Sequence, residues 1–343
     1  MIQQGSAARQ ACDWQTELAR AIRDPLELAQ LLDLDPAALG MAPAAAAQFP
    51  LRVPRPYLAR MRRGDPADPL LLQVLPGIRE LADAPGYVAD PLREREANPV
   101  PGLIHKYHGR VLLLASPACA VHCRYCFRRH FDYAANTPGR RQWQPALDYI
   151  RRQPSIAEVI YSGGDPLAAG DGLLAWLTAQ VAAIPHVRRL RIHTRLPVVI
   201  PARVDARLLA WLGDTGLQCS VVLHINHANE IDAEVAAAVG RLRGTGALLL
   251  NQSVLLQGIN DSVDRLAALS EGLFSIGVLP YYLHLLDRVQ GAAHFAVTRV
   301  QAVALHRALL ARLPGYLAPR LVEELPALPY KAPVGATAST LDP

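Results

Sequence analysis

Several things are missing from this sequence, and each absence removes a class of protein. No uninterrupted apolar run approaches the roughly 18 residues that a membrane-spanning helix requires. The opening residues, MIQQGSAARQACDW, lack a basic start followed by an apolar stretch, so no secretory signal is expected and the chain reads as cytoplasmic. Basic residues come in short clusters such as Arg151-Arg152 and Arg188-Arg189, and 35 Lys and Arg against 30 Asp and Glu leave a charge of only +5. A nucleic-acid partner is therefore not expected. There are five cysteines, three of them within eight residues and Cys12 and Cys219 elsewhere. An odd, locally concentrated set is not a secreted disulfide framework, and in a reducing compartment it points to a metal or cluster site. No internal repeat is present.

What remains is a chain of 343 residues, 51% of them apolar. On a prior of about 150 residues per domain this is one large domain or two ordinary ones, with enough apolar content for a sizeable core. Residues 1–100 alternate amphipathic segments (DWQTELARAIR, DPLELAQLLDL) with proline-rich extended ones (FPLRVPRPY, ADPLREREANPVPG), which predicts a helical N-terminal region. From about residue 109 six apolar strand candidates follow, at 111–115, 157–161, 188–194, 217–225, 246–256 and 277–286. Most are separated by helical stretches such as GLLAWLTAQVAAI and DAEVAAAVGRLR. Alternating strands and helices imply right-handed βαβ units and a parallel sheet. The expected α/β architecture is a partial, TIM-like (β/α)6 barrel over residues 101–312, followed by a short C-terminal segment, 313–343; a doubly wound sheet is the alternative. In both, polar residues just past the strands gather at one mouth, where ligands bind.

Directly after the first core strand, SPACAVHCRYCFRRHF places Cys119, Cys123 and Cys126 in the spacing C-x3-C-x2-C. Three thiolates from one loop can each bind one iron of a 4Fe-4S cubane and leave the fourth iron open to a small chelating ligand. Two other readings of the spacing stay open: a zinc site completed by His122, and three unrelated core cysteines. Ser162-Gly163-Gly164-Asp165 follows the second core strand, where glycines allow close backbone approach to a ligand.

CAVHCRYCFRRHF resembles the signature of radical S-adenosylmethionine enzymes, and its RYCFRR continuation is similar to the lysine 2,3-aminomutase family. The resemblance extends through VPGLIHKYHGRVLLL, YSGGDPL, HTRLPVVIP, HINHANEI, NQSVLLQGIND and PYYLHLLDRVQGAAHF, roughly two hundred residues in order. The LHLLDRVQGAAHF stretch and the short C-terminus resemble the branch that supplies (R)-β-lysine for modification of elongation factor P.

The resemblance implies an isomerase that moves the α-amino nitrogen of L-lysine to the β-carbon, using a 4Fe-4S cluster on Cys119, Cys123 and Cys126, S-adenosyl-L-methionine and pyridoxal 5′-phosphate. It implies that Gly163, Gly164 and Asp165 bind the amino group of S-adenosylmethionine. Lys331, in ALPYKAPVG, takes the place of the lysine that carries pyridoxal phosphate, and Tyr107, Arg110 and Gln252 match positions that contact that cofactor. Arg128 matches the clamp on the substrate carboxylate, a role suited to a planar guanidinium. Asp287 and Glu324 match the two acids that hold the distal ammonium, a pair that favours lysine over an acidic substrate. The implied partners are elongation factor P, its β-lysine ligase and a reductant protein such as a flavodoxin. Two positions depart from the free-lysine mutases: Glu324 stands where they usually carry Asp, and His284 where they carry Tyr. No cysteine follows Cys219, so the structural zinc site of those mutases, and the tetramer it organises, are not expected; a monomer or weak dimer is.

Overall fold

The computed structural model describes residues 13–136, 142–326 and 328–335; Cys12 and residues 336–343 lie outside them. The N-terminal region is built from short helices, Trp14–Ala19, Pro25–Leu31, Pro43–Gln48 and Arg55–Leu58. Proline in the first turn of three of them fixes φ where the missing N–H is harmless, and Asp24 caps the second by accepting from Leu26 N at 2.9 Å. Their apolar faces, with Trp14, Leu28, Leu32 and Tyr57 buried, join the main core.

The core is one nine-stranded sheet whose spatial order is its sequence order. Strand β1 (Leu103–Tyr107) is antiparallel to β2 (Arg110–Ser116). From β2 the sheet runs parallel through β3 (Glu158–Gly163), β4 (Arg189–Thr194), β5 (Gln218–His224), β6 (Leu248–Val254), β7 (Leu279–His284) and β8 (Arg320–Glu323). A two-residue strand, β9 (Ala332–Pro333), turns back antiparallel on β8. Strands β1 and β9 do not pair, so the sheet is an open barrel and not a closed one.

Helices Gln144–Arg151, Asp171–Ala182, Ala206–Gly213, Ala233–Arg243, Val263–Ser275 and Arg299–Arg312 return the chain between parallel strands. Helix Asp171–Ala182 shows why they lie against the sheet: Leu174, Leu177, Thr178 and Val181 recur at helical spacing and are its buried residues. Side-chain caps start several of them, as at Asp232 to Val235 N, 2.8 Å, each contributing about 1 kcal/mol.

All six expected core strands are present; the parallel part of the sheet is larger by one, and the antiparallel β1 and β9 flank it. The added parallel strand, β8, lies in the stretch expected as a separate C-terminal segment; its pairing with β7 carries the sheet past residue 312. Among the described residues no helix is long and apolar enough to cross a membrane.

Candidate active site

Because the strands are parallel and in order, the loops after them open on one side, and a cavity of about 990 Å³ lies among them. It is lined by Cys119, Cys123, Cys126, Arg128, Gly163, Gly164 and Asp165, and also by Tyr107, Arg110, Gln252, Asp287, Glu324 and Lys331. The structure thus brings every predicted site residue to one place.

The cysteine loop follows β2 and is held from both sides. Toward the N-terminal region, Glu80 is buried between two arginines that bracket Cys126, with Arg124 at 2.5 Å and Arg129 at 2.8 Å. Toward the sheet, the loop packs on the glycine pair at the end of β3. Gly163 has φ +127°, and a Cβ there would lie 2.4 Å from Ser116 O; at Gly164 it would lie 2.6 Å from Ala118 O. Only glycine fits at this contact, which carries the backbone bonds Gly164 N to Ser116 O (2.8 Å) and Asp165 N to Ala118 O (2.7 Å).

Asp165 is buried and its carboxylate already accepts from Leu167 N, Arg195 N, Leu196 N and the Thr194 hydroxyl at 2.7–3.0 Å. Burial pushes this carboxyl up, and those donors offset only part of the rise. Its side chain therefore fixes the ends of β3 and β4 relative to each other, while the glycine backbone beside it faces the cavity.

Arg128 leaves the last cysteine and is anchored by Glu94 in a two-point pair of 2.7 and 2.8 Å, with further bonds to Ser162 Oγ (2.8 Å) and Gly163 O (3.2 Å). Burial would lower its guanidinium, but Glu94 more than reverses this, so Arg128 stays a cation on the cavity wall. Glu94 was not foreseen from the sequence. Neither was Arg195, after β4, which donates to Cys123 Sγ and Tyr125 Oη at 2.7 Å and to Glu230 at 2.8 Å. The HTRLP motif was the available signal for it.

At the other end of the cavity the open edges of the sheet meet. Lys106 comes from β1, Glu324 directly follows β8 and Lys331 directly precedes β9; each lysine lies 2.5 Å from one oxygen of Glu324. Burial alone would raise the Glu324 carboxyl, but Lys331 and Lys106 hold it well below the usual range. Asp287, three residues beyond β7, is pushed up to about 7 by burial and by Glu324, against the pull of the lysines. Burial likewise lowers His193 and His284 well below the ordinary imidazole value, and His224 to about 3. These three are neutral at physiological pH. Gln252, on β6, contacts His224 Nε2 at 2.9 Å.

The residues fit the implied groups on three observations. The thiols supply a soft ligand set; Cys126 is pushed up to about 11 by burial and then by Cys123, a mutual repulsion that bound cations relieve. Among the described residues no three His, Cys, Asp or Glu groups converge on one metal position, and a cubane requires no such convergence because each thiolate binds its own iron. His122, which a zinc site would need, stacks on Phe49 at 5.0 Å and bonds Pro50 O through Nδ1 at 2.8 Å. In the cavity, His193 Nε2 and His284 Nε2 are buried with no hydrogen-bond partner among the described residues, which suits a polar ligand. Arg110, stacked 4.6 Å over the Tyr107 ring, forms no ion pair among those residues and can serve a phosphate.

No family model matches the chain. A solved radical SAM methyltransferase from Sphaerobacter thermophilus aligns over 64% of this chain and 68% of its own, at 18% identity and a TM-score of 0.46. Similarity in sequence is much stronger. The L-lysine 2,3-aminomutase of Escherichia coli (strain K12) is 51% identical over 323 residues, 94% of each chain. That of Haemophilus influenzae is 47% identical over 331 residues, 96% of this chain and 98% of its own. Identity at this level over nearly the full length of both relatives, on a chain whose cysteine loop, glycine turn and lysine share one cavity, places it in the L-lysine 2,3-aminomutase family.

Proposed function

We propose that this protein is an L-lysine 2,3-aminomutase that converts L-lysine to (R)-β-lysine, and that its product serves the β-lysylation of elongation factor P. The observation that carries the reading is the single cavity of about 990 Å³ into which the cysteine triad, the glycine turn, Lys331 and Asp287 all face. In it, Cys119, Cys123 and Cys126 hold a 4Fe-4S cluster. The backbone of Gly163 and Gly164, kept in place by Asp165, receives the amino group of S-adenosyl-L-methionine. Lys331 carries pyridoxal 5′-phosphate, with Arg110 and the half-buried Tyr107 and Gln252 around it. Once bound, these groups supply radical hydrogen abstraction at the β-carbon and a carrier for the migrating nitrogen.

The protein's own part is to bind, orient and exclude water. Arg128, stiffened by Glu94, presents a fixed cation to the substrate carboxylate. Asp287 offers an acid to the distal ammonium, whose charge favours the ionised form. The neutral imidazoles of His193, His224 and His284 line the wall without adding a competing cation. A flavodoxin-like donor fits the need for one electron per cleavage, and the resemblance to the elongation factor P branch supports a β-lysine ligase as the next enzyme. We read the protein as cytoplasmic and as a monomer or weak dimer, with Glu80 of the N-terminal region clamping the cluster loop and the C-terminal segment supplying Lys331.

The assignment has a two-outcome test. The chain has only two lysines, so borohydride reduction of the pyridoxal phosphate-loaded protein, followed by peptide mapping, is expected to mark Lys331 and leave Lys106 unlabelled. Label on Lys106, or none, refutes the cofactor assignment. Cys126→Ala is expected to abolish S-adenosylmethionine cleavage while leaving that label in place.

A further inference from the structure

The cysteine loop has two faces. Its thiols line the cavity, while Arg124, between Cys123 and Cys126 in sequence, points into the N-terminal region, where Nη1 donates to Phe49 O at 2.6 Å and Nε to Glu80 Oε1 at 2.9 Å. His122 turns the same way, stacking on Phe49, with its backbone N–H on Arg52 O at 3.1 Å. Behind the loop stands a wall made of helix Pro43–Gln48, Phe49 and Pro50 after it, and the short turn Ile78–Leu81. The bonds Ile78 N to Gly40 O (2.9 Å) and Ala42 N to Pro76 O (3.4 Å) join its two parts. The outer side of the wall is apolar: residues 36–50 hold no charged side chain although 19% of the chain is charged, and Ile78 and Leu81 are 58% and 36% exposed. Glu80, the acid of the turn, faces inward to Arg124 and Arg129. The edges are basic. Arg79 is exposed on the turn itself, and exposed Arg23 lies opposite half-buried Arg52 across the Ile22–Val53 bridge. None of these three arginines forms an ion pair among the described residues, and Asp24 and Asp35, acids of the same region, accept from the backbone of the helices they cap.

We infer that the outer side of this wall is the docking face for the electron donor, an acidic one-electron carrier protein of the flavodoxin type. The inference rests on the radical-enzyme reading above and gives its reductant a surface. Substrate and S-adenosylmethionine take the cavity face of the loop, which must stay closed to water, so the electron has to arrive from behind. The path from there is short: one hydrogen bond links Phe49 O to Arg124, and Arg124 is covalently next to Cys123. An apolar centre with arginines at its rim is the composition of a protein-binding patch, and arginines without partners of their own steer an acidic protein onto it. In each transfer the carrier is oxidised by one electron and the cluster takes that electron up. No bond is made or broken and no proton has to follow.

The test uses the anaerobically reconstituted full-length holoprotein and recombinant flavodoxin. One readout is the Kd of their complex by calorimetry at low and high salt. The other is the single-turnover rate of S-adenosylmethionine cleavage, driven either by flavodoxin hydroquinone or by dithionite, a small reductant that needs no docking face. The double reversal Arg23→Glu with Arg79→Glu is expected to raise Kd about 10-fold or more at low salt, with the gap narrowing as salt screens the charges. Ala44→Glu puts a charge at the apolar centre, at an exposed position in the first turn of helix Pro43–Gln48 where an acid suits the helix, and is expected to raise Kd by a similar factor. Both variants should slow flavodoxin-driven cleavage and leave the dithionite rate unchanged. Arg307→Glu, exposed on helix Arg299–Arg312, should match the wild type throughout. The inference is wrong if the wild type binds no flavodoxin, if the reversals leave binding unaltered, or if they slow both reductants equally. A wild-type protein that takes up no iron, or cleaves no S-adenosylmethionine with dithionite, instead overturns the radical-enzyme reading beneath it.

Discussion

Replacing Gly164 by alanine tests how the fold makes its cluster loop. The added Cβ would lie 2.6 Å from Ala118 O and 2.8 Å from both Ala118 C and Pro117 O, against the 3.4 Å at which ordinary contact begins. The atoms in the way are backbone, and Ala118 O also accepts from Asp165 N, so the loop cannot recede without breaking a hydrogen bond. Overpacking of this kind costs about 1–3 kcal/mol and the strained bond about 1 kcal/mol more, a total of about 2–4 kcal/mol. Gly172→Ala is the matched control: it sits in the first turn of helix Asp171–Ala182 with nothing within 4 Å, and it should gain up to about 1 kcal/mol. The assay is the melting temperature of the cluster-free protein together with iron bound after anaerobic reconstitution. Gly164→Ala is expected to melt several degrees lower and to bind less iron, because Cys119 directly follows the displaced carbonyl. Gly172→Ala should match or exceed the wild type in both. If Gly164→Ala melts with the wild type and loads a full cluster, the glycine turn does not build the cysteine loop.

Asp287 gives a pH signature. Free aspartate ionises near 3.9, whereas burial and Glu324 hold this one at about 7 against the pull of Lys331 and Lys106. Between those values the unfolded chain has released the proton and the folded chain retains it, so this group's contribution to stability falls as pH rises from about 4 to about 7. Asp287→Asn should therefore stabilise the ligand-free protein more at pH 8 than at pH 5, measured by thermal melts; an equal effect at both would contradict the raised value. Glu94→Gln removes the only carboxylate among the described residues bonded to buried Arg128, leaving Ser162 Oγ and Gly163 O as its partners there, and breaking such a pair costs about 3–5 kcal/mol. An unchanged denaturation midpoint would show that the pair contributes nothing. Asp165→Asn places an amide nitrogen among three backbone N–H groups, and it should lower both stability and S-adenosylmethionine affinity. Full affinity by equilibrium dialysis would remove its positioning role.

The parts of this fold that could be read in advance are those whose signal is local. Strands β2 to β7 are apolar runs between helical stretches, and the cysteine spacing announces itself within eight residues. Strand β8 is four residues, RLVE, in a proline-rich stretch, too short to register before its pairing with β7 is seen. Lys331 in a proline-rich tail would ordinarily be a solvated surface residue; only resemblance raised it, and strand β9 is what turns it into the cavity. The unforeseen residues depend on distant partners. Glu94 meets Arg128 across 34 positions, Arg195 meets Cys123 across 72, and Lys106 meets Glu324 across 218. No periodicity or spacing encodes such pairs, and sheet order alone brings them together. Glu324 makes the point most clearly, since nothing local in the sequence shows that Lys106 and Lys331 both meet on it.

The measurement that bears most directly on the central claim is an anaerobic assay of the reconstituted protein with L-lysine, S-adenosylmethionine, pyridoxal phosphate and a strong reductant, with chiral separation of the products. (R)-β-lysine is the predicted product. Cleavage of S-adenosylmethionine with lysine left unchanged would contradict the substrate assignment and leave only the radical machinery standing.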